Sequence, residues 1–328
     1  MSGKLISYTE LISLVNKSSV TEIVEYLKNH IEYSSVFRGI QSGINLHRSD
    51  LERLLNRALL DNFAKIIKFL NVYHDKFFKI YIKRYEIGYL KHVIRLLTNK
   101  HKEATEMYVP EYFRQHMLVH KKNIVLAHTF EELVDILRDT EYFKVLNPMV
   151  GAQNSLYSIE MKLDDYYYEC LWNFIENYLS GKDREVALKI YGTKIDLTNI
   201  EWIVRWKSFY DTPKEIIYSY TINKRYKLKK DDIIGLVESN NSQECMELIE
   251  KSKYKGILRK DEMVFMEHNR NQYMMNLQKK IAGTKTDTIA PIIFYLFKKE
   301  TEIENLTKII ECVRYKADVS QLENYIVK

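Results

Sequence analysis

Cysteine, glycine and proline are all scarce in this 328-residue sequence. The three cysteines, Cys170, Cys245 and Cys312, lie far apart, which excludes a disulfide framework and a zinc ribbon and favours a reducing compartment. Ten glycines and four prolines are few turn formers for a chain of this length. Because so few residues break helices, we predict an all-α fold.

Long hydrophobic runs are also missing. Lys, Glu or Asp interrupts every apolar stretch before it reaches about eighteen residues, so the sequence predicts no transmembrane helix. The first residues, MSGKLISYTELISLVNK, lack the apolar core of a signal peptide. We therefore expect no direct membrane span, which leaves open a place on a membrane complex.

Motifs of nucleotide binding and covalent catalysis are absent as well. The sequence contains neither GxxxxGK[ST] nor GxGxxG, and it has no GxSxG nucleophile elbow. A net charge of +6 with 29% charged residues permits nucleic-acid binding but does not argue for it. We predict no catalytic residue, no cofactor and no bound metal.

What the sequence does contain is a threefold internal repeat. An acid followed by a branched apolar residue lies in each of three long helix-like stretches, at Glu86, Asp196 and Glu302. A tyrosine ends each of three shorter helix-like stretches, at Tyr33, Tyr142 and Tyr254. Both landmarks recur about every 108 residues, which is typical of an internally repeated structural unit.

The shorter stretches begin with capping-box patterns. Their predicted N-cap and acid pairs are Ser19 with Glu22, Thr129 with Glu132, and Asn241 with Glu244. A third landmark is an apolar residue followed by Glu, in Leu51-Glu52, Ile159-Glu160 and Met266-Glu267. Together these landmarks predict three similar helical units over residues 1–102, 103–210 and 211–328.

The stretch from Pro291 to Tyr315 is the clearest helix. Pro291 suits the first turn, and no Gly or Pro follows within the stretch. Ile303, Leu306, Ile310 and Val313 recur at helical spacing. We predict that this face lies in the core.

Two histidines are the only candidates for a metal site. His116 and His120 lie four residues apart, so both would face one side of a helix and could bind zinc. The glutamate of a metalloprotease motif is absent, and no third ligand is near. An ordinary surface or half-buried role is the favoured interpretation.

The other polar clusters favour structural roles. Lys121-Lys122 and Lys229-Lys230 lie beside aromatic residues, a combination that can bind nucleic acid, but solvated helix faces explain both. Asp164 and Asp165 are helix neighbours about 100° apart, so they cannot act as one catalytic pair. For the repeated acids, we predict a shared hydrogen-bonding role in the fold.

The segment KKETEIENLTKIIECVRYK and its two internal echoes resemble a known family. The segment is similar to one near the end of the C subunit of archaeal and bacterial V-type ATP synthases, whose eukaryotic V-ATPase equivalent is the d subunit. The matching residues are Lys299, Glu300, Glu302, Ile303, Asn305, Leu306, Ile309 and Ile310, with Asp196, Leu197, Asn199 and Ile200 in the preceding unit. Thr140 and Tyr142 match the end of the family's capped helix.

The resemblance implies a pseudo-three-fold funnel of three helical domains without an active site. It implies a rotor component, peripheral on the cytoplasmic face of the membrane, between the membrane rotor ring and the central shaft subunits. The first unit departs from the pattern: it has little or no leading helix, and Gly88-Tyr89 replaces Thr198-Asn199 and Glu304-Asn305. We expect the polar contact of the asparagine to be missing there.

Two other function classes remain alternatives from the residues alone. A helical-repeat scaffold that binds peptide or nucleic acid is the first, and an enzyme is the second. Co-purification with other rotary-ATPase proteins would favour the rotor component, and hydrolytic turnover by the pure chain would favour the enzyme.

Overall fold

The computed structural model describes residues 5–44, 46–67, 72–99, 108–151, 155–210, 212–257, 266–317 and 325–328. Throughout these ranges the regular structure is helical and no strand occurs, which confirms the predicted all-α class. The chain divides into two compact bodies. We call residues 1–69 with 256–328 the terminal body, and residues 70–255 the central body. The division into three sequence units stays a prediction.

The helices of the terminal body are α1 Tyr8–Val15, α2 Val20–Asn29, α3 Ser34–Phe37, α4 Arg48–Ile67, α14 Met266–Thr284 and α15 Ala290–Tyr315. This body is built around its longest helix, α15. Helix α15 packs against α14, α4, α1 and α2, and α3 packs against α4.

The central body is built around three long helices. Helix α9 packs against α5 and α10, and α10 packs against α12 and α13. The helices are α5 Val72–Thr98, α6 Glu111–His116, α7 Phe130–Ile136, α8 Glu141–Leu146, α9 Leu156–Tyr178, α10 Gly181–Phe209, α11 Lys214–Tyr220, α12 Lys230–Glu238 and α13 Ser242–Lys251. Short 3-10 turns lie between α6 and α7 and after α8.

All three predicted N-caps are present. The side-chain oxygens of Ser19, Thr129 and Asn241 accept hydrogen bonds from the backbone N–H of Glu22, Glu132 and Glu244. The return contact differs from a capping box, because each glutamate accepts from the N–H one residue before the N-cap. Each helix start therefore satisfies two backbone donors in the same way.

The capped helices end before their tyrosines, which corrects the predicted boundaries. Helix α2 ends at Asn29, short of Tyr33, and α13 ends at Lys251, short of Tyr254. The helix-like stretch that was predicted to end at Tyr142 is split into α7 and α8 by extended backbone at Thr140. In each copy the tyrosine therefore lies outside the capped helix, and Tyr142 belongs to the next helix, α8.

The predicted core face of α15 is confirmed for three of its four residues. Leu306 is fully buried, Ile310 and Ile303 are nearly so, and Val313 is half-buried near the end of the helix. The largest fully buried side chains include Tyr33, Tyr142 and Tyr254. The repeated tyrosines are thus core residues, and their hydroxyl groups need hydrogen-bond partners.

Candidate functional site

Each repeated tyrosine donates its hydroxyl hydrogen bond to a repeated acid. The Tyr142 oxygen lies 2.5 Å from Oε2 of Glu86, and the Tyr254 oxygen lies 2.6 Å from Oδ2 of Asp196. Tyr33 donates to Glu302 in the same way. All three acids are buried. We call these contacts the Tyr–carboxylate pairs.

Backbone N–H groups complete each carboxylate's hydrogen bonds. Val119 donates to Glu86 at 2.8 Å, and Ile6 donates to Glu302 at 2.7 Å. Asp196 accepts three such bonds, at 2.7–3.1 Å, from Tyr226, Lys227 and Leu228. Each acid therefore ties a long helix to a tyrosine and to a separate backbone segment. The predicted shared hydrogen-bonding role of these acids is confirmed.

A glycine in α10 permits this arrangement around Asp196. Gly192 lies one helical turn before the acid, and a Cβ built there would come within 2.6 Å of the Tyr226 Cβ. Tyr226 is also one of the three backbone donors to Asp196. The absence of a side chain at residue 192 lets this segment approach the helix closely enough to donate.

The three pairs differ in the cation beside them. Lys299, three residues before Glu302, is completely buried, and its Nζ lies 2.7 Å from the Glu302 carboxylate and 3.1 Å from the Tyr33 oxygen. Lys83, three residues before Glu86, pairs with Glu141. At the same position before Asp196 the sequence has Thr193 instead.

The pKa shifts of these residues favour a role in holding the helices together over a role in proton transfer. Burial raises the pKa of Glu86, although hydrogen bonds from Tyr142 and Val119 oppose the shift. Burial and the nearby Glu302 carboxylate raise the pKa of Tyr33 well above its usual value, and burial lowers the pKa of Lys83. A buried tyrosine that keeps its proton is a stable donor, so the arrangement is suited to fixing helices in place.

Asparagines form a second repeated contact on the same helices. Asn199 donates from Nδ2 to the Ile222 carbonyl at 3.0 Å, and its Oδ1 accepts the Ile222 N–H at 2.8 Å. Asn305 holds Val327 in the same two-bond manner, at 3.0 and 3.1 Å. At the matching position of the first copy, Tyr89 is buried and has no amide to form this contact.

The two candidate histidines do not lie on one helix, because α6 ends at His116. His116 directs Nδ1 at the Tyr112 carbonyl oxygen, 2.7 Å away, and its ring lies 4.5 Å from the Tyr112 ring. The His120 side chain lies outside the described residues. Among those the structure describes, no group of three or more His, Cys, Asp or Glu side chains could hold a metal ion.

One lysine of each basic run forms an ion pair or a backbone hydrogen bond with an aspartate. Lys122 pairs with Asp139 at 3.2 Å, and the Lys121 side chain lies outside the described residues. Lys229 is the N-cap of α12, and its backbone N–H donates to Asp232 at 2.7 Å.

The neighbouring aspartates, Asp164 and Asp165, lie in different surroundings. Asp164 pairs with Lys91, whereas burial raises the pKa of Asp165. Tyr167 and Tyr168 are buried, as expected for packing residues. No helix within the described ranges is both long and apolar enough to cross a membrane.

Sequence reasoning missed the contacts of Lys83 and Lys299 and the pairing of the tyrosines with the acids. The Lys-x-x-Glu spacing in KRYE and KKETE marks both lysines, and it is readable from the sequence. Tyr142 follows Glu86 by 56 residues and Tyr254 follows Asp196 by 58, so a nearly constant offset links the two landmarks. Tyr33 precedes Glu302, and that pair has no such offset.

Buried carboxylates that accept hydrogen bonds from tyrosine hydroxyls and backbone N–H groups tie the long helices of this all-α protein together. The family model for the ATP synthase (C/AC39) subunit matches residues 1–325. The chain therefore belongs to the ATP synthase (C/AC39) subunit family, which confirms the resemblance seen in the sequence.

Curated relatives agree with the family model. The C subunit of the A-type ATP synthase of Methanosphaera stadtmanae is 26% identical over 319 residues, which cover 93% of this chain and 79% of that protein. Its counterpart in Methanobrevibacter smithii is 24% identical, over 95% of this chain and 81% of its own length. That of Pyrococcus horikoshii is 23% identical, over 99% and 87%. Each of these relatives is named as one component of an ATP synthase.

Proposed function

We propose that the chain is the non-catalytic central-rotor adaptor of a V-type ATPase/ATP synthase. It links the membrane rotor ring to the central shaft subunits, and it transmits torque for proton or sodium transport. It is peripheral, on the cytoplasmic face of the membrane. The match of the family model over residues 1–325 is the observation that carries this proposal.

The Tyr–carboxylate pairs support a torque-bearing role. A part that passes rotation must not yield between its helices, and buried hydrogen bonds to charged groups are among the stronger polar contacts in proteins. Each pair joins a long helix to a tyrosine that follows a different helix. Each pair therefore adds a specific polar contact between segments that apolar packing alone would hold less specifically.

The order of the pairs supports the proposed three units around one axis. Glu86 of residues 1–102 meets Tyr142 of residues 103–210, and Asp196 of that unit meets Tyr254 of residues 211–328. Glu302 of the last unit meets Tyr33 of the first. Each unit therefore contributes one acid to a pair with the next unit, and the last unit contributes one to a pair with the first.

The contacts with the shaft and the ring are polar in this proposal. The chain has 29% charged residues, so both contact faces are expected to carry charge. Exposed ion pairs are screened within about 8–10 Å near physiological ionic strength. Association with either partner is therefore expected to weaken as salt is added.

Reconstitution tests the proposal. The pure chain is mixed with the soluble head-plus-shaft assembly and, separately, with the membrane sector, and association is measured at low and high salt. We expect binding to both partners, weaker at high salt. The full complex lacking the chain is expected to hydrolyse ATP without moving ions, and adding the chain back is expected to restore coupling.

Two results would overturn it. One is that the chain joins neither assembly at any salt concentration while the remaining proteins of the complex couple ATP turnover to ion transport. The other is ATP hydrolysis by the pure chain, which would make it an enzyme. Heat-denatured chain is the control for nonspecific adsorption.

A further inference from the structure

The last four residues of the sequence lie between two helices of the terminal body. Asn305 of α15 forms two hydrogen bonds to the backbone of Val327, at 3.0 and 3.1 Å. Gln272 of α14 does the same to Lys328: its Oε1 accepts the backbone N–H at 2.9 Å, and its Nε2 donates to the carbonyl at 3.1 Å. The two amide side chains therefore hold two successive residues, Val327 and Lys328. We call residues 325–328 the tail segment.

Apolar burial adds to these backbone contacts. Ile326 and Val327 are almost completely buried. The Lys328 ammonium lies 4.6 Å from the centre of the Tyr8 ring, a cation–π contact. The groove thus accepts two apolar side chains and a cation, and it recognises the backbone of the segment that carries them.

The central body contains contacts equivalent to those in this groove. There, one continuous segment supplies both Ile222 to Asn199 and Leu228 to Asp196. In the terminal body the same two tasks are divided: Val327 meets Asn305, whereas Ile6 meets Glu302. The backbone contacts that one segment makes in the central body are therefore made here by two separate parts of the chain.

We propose that the groove between α14 and α15 is a binding site for an extended peptide, occupied in cis by the tail segment. Its ligand is an extended segment with two consecutive apolar residues followed by a cation. Because Asn305 and Gln272 bind only backbone atoms, a separate peptide of the same chemistry occupies the groove when the tail segment is removed. This site is independent of the proposed rotor function.

Truncation and peptide addition test the site. The chain truncated after Ala317 is expected to melt at a lower temperature than the full chain and to bind a labelled synthetic peptide of residues 318–328 with one-to-one saturation. The peptide is also expected to raise the melting temperature of the truncated chain. The double variant Asn305→Ala, Gln272→Ala is expected to bind it at least about tenfold more weakly, since four hydrogen bonds are lost.

Matched controls separate recognition from general stability. The truncated chain with Asn199→Ala loses the equivalent amide in the central body, so its affinity for the peptide should not change. A peptide with Asp at the position of Val327 should not bind, because a carboxylate would be buried without a partner. Loss of affinity in the Asn199→Ala control would count against the site.

A second design applies if the truncated chain does not fold. A protease site is placed within residues 318–324 of the full chain, and the folded protein is cut. We expect the released segment to remain bound through gel filtration and to leave faster in the Asn305→Ala variant. The proposal fails if the cut segment separates at once and does not rebind at any concentration, or if truncation leaves the melting temperature unchanged.

Discussion

The hydroxyl of Tyr33 donates a hydrogen bond to the carboxylate of Glu302, although 269 residues separate them in the sequence. Both residues are almost completely buried. Inside the protein an unpaired carboxylate or hydroxyl costs more than the bond itself contributes, so each member of the pair depends on the other.

The three tyrosines are predicted to differ in importance when changed to phenylalanine. Tyr254→Phe leaves Asp196 with three backbone donors, whereas Tyr142→Phe removes a donor from Glu86, whose pKa burial already raises. We expect a loss of about 1–3 kcal/mol in the free energy of unfolding for Tyr142→Phe and a smaller loss for Tyr254→Phe. Urea denaturation measures both, and the reverse order would contradict the role of the backbone donors.

Lys299 is predicted to be essential to the terminal body. Lys299→Met leaves the Glu302 carboxylate buried without its cation, so we expect a loss of roughly 3–5 kcal/mol. Lys83→Met is the matched control, because Lys83 pairs with a half-exposed glutamate and its loss should cost less. Equal losses in the two variants, measured by chemical denaturation, would show that burial of the pair is not the cause.

Leu306 tests the core of α15. Leu306→Ala should lower the free energy of unfolding by roughly 2–5 kcal/mol, because the side chain is fully buried and its removal leaves a cavity. Ile31 is 66% exposed in the same body, and Ile31→Ala should cost under about 0.5 kcal/mol. A loss below about 0.5 kcal/mol for Leu306→Ala would place that face of the helix in solvent.

Two helical glycines are predicted to respond in opposite directions to alanine. Gly88 in α5 has no atom near a built Cβ, so Gly88→Ala should stabilise the protein by about 0.5–1 kcal/mol. Gly192→Ala should destabilise it by about 1–3 kcal/mol, because the new methyl group displaces Tyr226 and its bond to Asp196. Melting temperatures that rise for both variants would contradict the close approach at Gly192.

The raised pKa of Glu86 predicts a pH dependence of stability. A carboxyl with a raised pKa binds more protons in the folded state, so its contribution declines as pH rises from about 4.3 through the folded pKa. The advantage of the natural chain over Glu86→Gln should therefore widen as pH is lowered from 7 toward 4. Glu176→Gln, at an exposed position, is the control, and a pH-independent gap for Glu86→Gln would refute the shift.

Local signals explain what the sequence could predict. The core face of α15 and the three N-caps depend on residues within a few positions of each other, and periodicity and capping chemistry report such neighbours directly. The role of the repeated acids was also predictable, because a buried acid inside a helix needs donors. The family followed from a motif in this same helix.

Long-range contacts explain what it could not. No local pattern indicates that Tyr33 contacts Glu302. None indicates that Val327 contacts Asn305 either, because the four residues of the tail segment are too few to show a repeat. The break at Thr140 was missed because no glycine or proline marks it.

The terminal body joins residues 1–69 to residues 256–328, which a ribosome makes later. At about 5–20 residues per second, the earlier part waits roughly 10–50 s before α14 and α15 emerge to cover its apolar side chains. The central body, contiguous in sequence, can fold during that interval. Nascent α1–α4 must therefore be shielded or remain unfolded in that interval, and chaperone dependence is expected to concentrate on residues 1–69.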